Sequence, residues 1–392
     1  MARTVAVGTT FMLEVNAAAI LAHLRAARRE SVSAIAKQTG LSRQAVSRSL
    51  AVLESMGLVE ISAPDRAATA AGRPPQMVRF RPEAGHVLGV DVNPGRVRIA
   101  VADLAGDFRA DVTAPLHRSG PGDLAASLGA AIRQALDGAG VGPADIWHAS
   151  AAAPGITDPV SGRVTLSTST PEIVGDAILA GVRGALDAPL YVDNDVKLAT
   201  EGERWRGTPH AEESLVFVAW GERIGAGIVL RGELYRGASN DAGELGYLDL
   251  LAPHIPKGDD DLGPFERWVG TRELLRLAGG DHTLLSLATA AADGGDESAR
   301  AAVRTVAARF AKGVAAIRAL LDPEVVVIGG DIAVLGSTLV DAITAALGTE
   351  ELNQPRLDLS ALGADAVIYG TIRHSLSWVE RERLAIRFTK ET

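Results

Sequence analysis

The sequence predicts an α/β protein in which a winged helix-turn-helix module precedes a larger, doubly wound body. At 392 residues the chain is too long for one compact core and should divide into at least two domains. Its first 85 residues read as three short helices with a glycine turn, followed by two short strands around a polar loop. From residue 86 onward, strands alternate with helices and glycine turns follow the strands, a pattern typical of α/β folds. We therefore predict a winged helix-turn-helix domain over residues 1–85 and, over residues 86–392, two similar α/β lobes around a cleft.

Composition restricts the chemistry and the compartment. The hydrophobic fraction of 47% is sufficient for a large core, and the absence of cysteine excludes disulfides, thiolate catalysis and cysteine-ligated metal sites. The segment Met1 to Thr10 lacks the charged-then-apolar pattern of a signal peptide. Apolar runs such as Leu215–Trp220 are long enough for a strand but too short to cross a membrane. We therefore expect a cytoplasmic protein without a membrane partner.

Charge is divided unevenly between the two predicted domains. Residues 1–86 carry 11 basic and 6 acidic side chains, whereas the remaining 306 residues carry 28 basic and 42 acidic ones. A basic module attached to an acidic body suggests that only the module meets a polyanion. Chance clustering of charge on a solvated face is the alternative, and charge alone does not separate the two interpretations.

The spacing of small and apolar residues predicts a helix-turn-helix unit. Ala36, Gly40 and Val46 fall at its fifth, ninth and fifteenth places. The alanine lets the two helices approach, the glycine accepts the backbone angles of the turn, and the valine locks the pair together. Ser31 and Ser42 are suited to cap the second and third helices.

The third predicted helix presents polar side chains near its N-terminal end, the part of such a helix that enters a major groove. Arginine can read guanine and glutamine can read adenine through paired hydrogen bonds, while serine can contact a base edge or a phosphate. We therefore predict DNA contacts from Ser42, Arg43, Gln44, Ser47 and Arg48.

A β-hairpin wing should follow this helix. Leu58–Ile61 alternates like a strand, a polar loop follows, and Met77–Arg81 reads as the returning strand. The tip of such a wing can lie along the DNA backbone or minor groove, and Arg66 and Arg73 are its predicted contacts. The alternative is a structural three-helix bundle with a solvated basic face.

The body carries a series of motifs whose order and intervals resemble those of the ROK (repressor, ORF, kinase) family of repressors and sugar kinases. They are Asp91-Val92-Asn93, Pro154-Gly155, Asp193-Asn194-Asp195, Ile224-Gly225-Ala226-Gly227, Gly232–Gly237, Ala242–Gly246, Gly263-Pro264-Phe265-Glu266 and Val327-Ile328-Gly329-Gly330. In the N-terminal module, Gly72-Arg73-Pro74-Pro75 resembles a signature of the repressor branch. The resemblance implies a two-lobed sugar-kinase/actin-like (ribonuclease H-like) domain. Lobe one would comprise residues 86–200 plus a C-terminal helix at 375–392, and lobe two residues 201–374.

The resemblance also assigns a ligand site. In ROK kinases the aspartate of an Asn-Asp pair removes a proton from a sugar hydroxyl, a role that falls on Asp195, with Asn194 also facing the sugar. Glu244 and Glu266 match the other sugar-binding carboxylates of the family. The alternatives are a surface turn for the Asp-Asn-Asp sequence, a strand-end turn for Glu244 and a helix N-terminal charge for Glu266.

Departures from the family affect its zinc site first. Where the family has a histidine that contacts sugar and helps to hold zinc, this chain has Tyr247, and no cysteine follows in Ala252–Gly263. The loop Leu166–Pro171, which in the family offers an asparagine, has only hydroxyl side chains. We therefore expect no zinc, and a ligand that is either a different sugar or not a sugar; Tyr247 joins the predicted ligand-binding residues.

The two phosphate loops depart further. Phosphate-binding loops use glycines so that backbone N–H groups can approach the phosphates. The first loop, Asp91–Arg96, lacks the Gly-Gly-Thr of the family, and Pro94 removes an N–H donor. In the second loop Arg223 occupies a glycine position and Glu222 adds a negative charge, although Arg223 has the chemistry to hold phosphate. We expect no ATP and no enzymatic activity, with Asp195 a vestigial base that binds ligand.

These observations predict a homo-oligomeric (dimeric or tetrameric) transcriptional regulator that represses carbohydrate uptake or catabolism genes. It would bind a palindromic operator in double-stranded DNA and respond to a small effector, a sugar, in the cleft between the lobes. Two alternatives remain: an ATP-dependent sugar kinase with an attached DNA-binding domain, and a DNA-binding scaffold without a ligand.

Overall fold

The computed structural model describes residues 9–62, 76–117, 121–158, 160–208, 212–249, 261–293, 296–348 and 353–384. The predicted wing-tip contacts Arg66 and Arg73 lie outside these residues, as does most of the segment in which the family places its cysteines. Within the described part of the chain, no helix is both long enough and apolar enough to cross a membrane.

The N-terminal module has the predicted winged helix-turn-helix fold. Its elements are α1 (Thr9–Ala27), β1 (Arg29–Ser31), α2 (Val32–Thr39), α3 (Arg43–Ser55), β2 (Val59–Ser62) and β3 (Met77–Phe80). The strands form an antiparallel sheet in the order β1-β3-β2. Ser31 Oγ and Ser42 Oγ each accept a backbone N–H of the following helix at 3.2 Å, so both predicted caps form. α2 ends at Gly40, whose φ of 70° lies in the left-handed region that favours glycine.

Lobe one is a mixed sheet between two helical layers. Its elements before the cleft are β4 (His86–Asn93), β5 (Arg96–Asp103), β6 (Phe108–Pro115), α4 (Pro121–Ala139), β7 (Ile146–Ala153), β8 (Ile156–Thr157), β9 (Val164–Leu166), α5 (Ala177–Arg183), β10 (Leu190–Asn194) and α6 (Asp195–Arg206). The main sheet runs β10-β7-β4-β5-β6, with β4, β7 and β10 parallel. α4 and α5 cover one face of this sheet with apolar side chains such as Leu128, Ile132 and Ile178.

Lobe two repeats this plan. Its elements are β11 (Leu215–Trp220), β12 (Ile224–Leu230), β13 (Glu233–Tyr235), α7 (Pro264–Val269), α8 (Thr271–Ala278), α9 (Leu284–Ala292), α10 (Glu297–Leu321), β14 (Val325–Gly329), α11 (Ser337–Leu347) and β15 (Arg356–Leu359). The sheet runs β13-β12-β11-β14-β15. α10 packs against it, and Phe310 stacks on Trp220 with ring centroids 3.9 Å apart.

The C-terminal helix α12 (Ala366–Glu382) begins nine residues before its predicted start at 375. The helix packs against α6 and strands β4 and β7, and Ala366 at its start also joins a buried cluster with Phe217 and Val327 of lobe two. The early part contains Gly370, where a Cβ atom would lie 1.8 Å from the carbonyl oxygen of Leu198 in α6. Glycine lowers helix propensity, but here it allows the two helices to touch along their backbones.

The N-terminal module and lobe one share one hydrophobic core. Ile20 and Leu24 of α1 belong to the same buried cluster as Ile372 and Leu376 of α12. Two ion pairs flank this contact: Arg25 to Glu380 at 2.6 Å, and Arg28 to Asp107 at 3.0 Å. The module is thus packed directly on the helix that covers lobe one.

Candidate functional site

A cavity of about 190 Å³ lies between the lobes, at the C-terminal ends of β7 and β10 and beside β12. Ligands in α/β proteins bind at such strand ends. The structure brings all five predicted ligand-binding residues to its wall: Asn194, Asp195, Glu244, Tyr247 and Glu266. Thr168 and Ser169, from the loop that lacks the family's asparagine, line it as well.

Asp195 is the first residue of α6 and is partly exposed towards the cavity. Burial of the carboxyl group raises its pKa to about 7, and the negative charges of Asp91 and Glu244 add to the rise. Near neutral pH the group therefore exchanges between an acceptor and a donor of hydrogen bonds. Either form suits a sugar hydroxyl, and the pKa also suits a general base.

Asn194 lines the same cavity, but its side chain is occupied by backbone groups. Its Oδ1 accepts the N–H of Lys197 at 3.1 Å and so caps α6, while its Nδ2 donates to the carbonyl of Gly155 at 2.9 Å. The residue thereby fixes the start of α6 against the Pro154-Gly155 loop. These bonds give Asn194 a positioning role; direct contact with a ligand stays a prediction.

Glu266 is 5% exposed, and both of its carboxylate oxygens accept hydrogen bonds from backbone N–H groups. Oε1 accepts the N–H of Ile224 at 2.9 Å, and Oε2 accepts the N–H of Gly263 at 2.7 Å. The second bond closes the first turn of α7, which is the helix N-terminal alternative raised from the sequence. Glu266 therefore ties the start of β12 to α7 at the edge of the cavity.

Glu244 and Tyr247 border the cavity from one short turn of lobe two. Burial raises the pKa of Glu244, a rise that Lys197 opposes and Glu266 promotes. Among the described residues the Glu244 carboxylate has no hydrogen-bond partner, so it is available to ligand hydroxyls. Tyr247 is 50% exposed; burial raises its pKa, the two glutamates add to the rise and Arg223 opposes it.

A buried cluster of hydrogen-bonded side chains around Asp193, called the brace below, lies beside the cavity and was not predicted from the sequence. Asp193 is 1% exposed and accepts hydrogen bonds from Tyr191 at 2.6 Å, Asn240 at 3.0 Å and Arg236 at 3.1 Å. Burial opposes ionisation of Asp193, but Arg236 and these hydrogen bonds outweigh it and lower the pKa. Arg236 and Asn240 belong to lobe two, so the brace joins the lobes one residue before the Asn194-Asp195 pair. The only sequence signal for it was that the strand end carries a second acidic residue, Asp193, besides Asp195.

The second phosphate loop places an arginine in the cavity wall. Arg223 lies just before β12 and lines the cavity, and its Nη1 donates to the carbonyl oxygen of Asp261 at 3.3 Å. The adjacent Glu222 is paired with Arg272, so its charge is compensated outside the cavity. In the first loop Asp91 is buried and borders a separate cavity of about 400 Å³.

The family's zinc site does not fit the residues present. Tyr247 stands in place of the histidine, and the chain has no cysteine to complete a ligand set. Within the described ranges, no three His, Asp or Glu side chains come together as a group suited to a metal ion.

The predicted DNA contacts on α3 are all exposed. They are Ser42, Arg43, Gln44, Ser47 and Arg48. The apolar face of the same helix, Val46, Leu50 and Leu53, is buried in the shared core. Ser42 also caps the helix, so its hydroxyl has a structural role in addition to any contact with DNA.

Comparison with known proteins agrees with this division of the chain. The sequence matches the ROK family over residues 87–371 and the MarR family over residues 12–68. The xylose repressor of Caldicellulosiruptor bescii is 23% identical over 327 residues, which cover 78% of this chain and 82% of that protein. A glucokinase of Halalkalibacterium halodurans is 25% identical over 311 residues, covering 72% of this chain and 92% of the enzyme.

A solved structure shares the fold of both domains. It is a ROK family transcriptional regulator, described as a homolog of the E. coli MLC protein. It superposes with a TM-score of 0.75 at 20% identity and covers 93% of this chain and 96% of that one. The family match over most of the sequence shows that the chain belongs to the ROK family.

Proposed function

We propose that the chain is a DNA-binding transcriptional regulator, a repressor of carbohydrate uptake or catabolism genes, controlled by a sugar in the cavity between the lobes. One observation carries the proposal: an exposed recognition helix is built into the same hydrophobic core as the ligand-binding body. The MarR match over the module and the resemblance to a xylose repressor support it.

The packing supplies a route from the cavity to the DNA. α6 begins at Asp195 in the cavity wall and packs along α12. α12 shares its buried face with α1, and Glu380 near its end pairs with Arg25. A ligand that favours one arrangement of the lobes would shift α12 and the module with it. The free energy by which the ligand changes DNA binding is set by the difference between its affinities for the two arrangements of the lobes.

The body is proposed to bind without catalysis, and to need neither ATP nor zinc. Asp195 keeps a pKa of about 7 that suits a general base, and the family includes kinases such as the glucokinase above. Against catalysis stand Pro94 in the first phosphate loop and Arg223 in the second. Release of ADP from ATP in the presence of a hexose, lost in Asp195→Ala, would instead establish the kinase.

A palindromic operator follows if two modules act together in a homodimer or tetramer. Selection of genomic fragments by the purified protein tests both the DNA binding and the symmetry. Recovery of a palindrome with half-sites one or two helical turns apart is the expected result. Fragments enriched no better than random DNA would refute the proposal, and enrichment unaffected by any ligand would favour the scaffold alternative.

A further inference from the structure

Arg223 is the feature of the cavity that the proposed function leaves unexplained. It ends the loop between β11 and β12, and its side chain is partly buried in the cavity wall with Glu244 and Tyr247. The bond from Ile224 N–H to Glu266 holds the adjacent backbone in place. The arginine is therefore presented to the cavity by a fixed strand end.

The charge of Arg223 lacks a carboxylate partner among the described residues. Its one hydrogen bond there is to a neutral carbonyl, that of Asp261, at 3.3 Å. The neighbouring Glu222 pairs with Arg272 instead. Partly buried arginines are usually paired, and the guanidinium fork matches carboxylate and phosphate groups. Within the described part of the chain the guanidinium therefore keeps donors available, and the residue lines the cavity where a ligand would lie.

The remaining polar groups of the cavity suit hydroxyls. Asp195 and Glu244 are carboxyl groups with free capacity, whereas Asn194 and Glu266 are engaged by backbone. Arg223 lines the cavity together with these two carboxyl groups. Hydroxyl acceptors and one cationic side chain therefore belong to the same small site.

The volume favours a ligand of a single ring. At about 190 Å³ the cavity is smaller than the roughly 300–1,000 Å³ of pockets for drug-sized ligands. Building on the proposed function, we propose that the effector is an anionic monosaccharide. Arg223 binds its phosphate or carboxylate group, and Asp195 and Glu244 bind its hydroxyls.

Isothermal titration calorimetry on the full-length chain tests this assignment. The probes are glucose, mannose and galactose, each as the neutral sugar, the 6-phosphate and the uronate. We expect at least one anionic form to bind about tenfold or more tightly than its neutral parent, as charge-assisted bidentate bonds allow. The phosphate and uronate arms identify which acid group the site takes.

Three variants test whether Arg223 causes the preference for an anionic form over its neutral parent. Arg223→Gln should abolish it while leaving affinity for the neutral parent unchanged, and Arg223→Lys should retain part of it. Arg183→Gln, which removes an exposed positive charge from the last turn of α5, outside the cavity lining, should retain all of it. Equal thermal unfolding of Arg223→Gln and the wild type excludes misfolding as the cause.

The inference is overturned if no anionic form binds more tightly than its neutral parent, or if the preference survives in Arg223→Gln. Failure of every probe to bind also overturns it. A neutral sugar that releases the protein from its operator, with Arg223→Gln behaving like wild type, would refute this inference but keep the proposed function. Absence of specific DNA binding would refute the proposed function itself.

Discussion

Replacing Glu266 with alanine should destabilise lobe two strongly, because its carboxylate is the acceptor for two buried backbone N–H groups. The backbone nitrogen atoms of Ile224 and Gly263 lie 2.9 and 2.7 Å from the two carboxylate oxygens of Glu266. Leaving one buried donor unsatisfied costs about 1–3 kcal/mol, so two should lower the free energy of unfolding by roughly 2–6 kcal/mol. Glu266→Gln keeps one acceptor oxygen and should lose less.

Urea denaturation followed by far-ultraviolet circular dichroism measures this loss in the transition that includes lobe two. Glu297→Ala is the matched control. Glu297 is an exposed residue at the start of α10 that pairs with Arg300 and Arg304, and its removal should scarcely change the midpoint. A Glu266→Ala variant as stable as the control, but with weakened ligand binding, would refute the positioning role and restore the glutamate as a ligand contact.

Three further predictions concern DNA, pH and coupling. Arg48→Ala should weaken specific DNA binding by about 1–3 kcal/mol if the side chain reads a base, and unchanged anisotropy with the operator would exclude that role. Effector binding should strengthen as pH rises through about 7, because the ionised Asp195 carboxylate accepts hydrogen bonds from sugar hydroxyls better than the protonated acid does. This pH dependence should vanish in Asp195→Asn. Its persistence in that variant would show that another group is responsible. Removing Arg25 or Glu380 should reduce the effect of ligand on DNA affinity while operator binding without ligand persists, and an unaltered ligand effect would exclude this ion pair from the route.

Features with a local cause were predictable from the sequence. The caps Ser31 and Ser42 and the turn at Gly40 depend on residues within one helical turn, and all three form as predicted. The resemblance to the ROK family predicted five ligand-site residues, and all five line one cavity. It did not indicate that Asn194 and Glu266 would be occupied by backbone, because their partners are set by loop geometry.

Features that depend on distant contacts were missed. The brace on Asp193 includes Arg236 and Asn240 from the other lobe, 43 and 47 residues away in sequence, and no periodicity of the sequence indicates these contacts. The early start of α12 was also missed. Gly370 has a weak helix propensity, which is outweighed in the structure by close packing of the helix on α6.

The most direct test of the proposed control is anisotropy of the best operator fragment, titrated with the sugars, sugar phosphates and uronates named above. The wild type should lose affinity for DNA with one of these compounds. Glu244→Ala, which alters the cavity but not the module, should bind the operator equally well and no longer respond. An operator affinity unchanged by every compound, or an equal response in Glu244→Ala, would contradict control through the cavity.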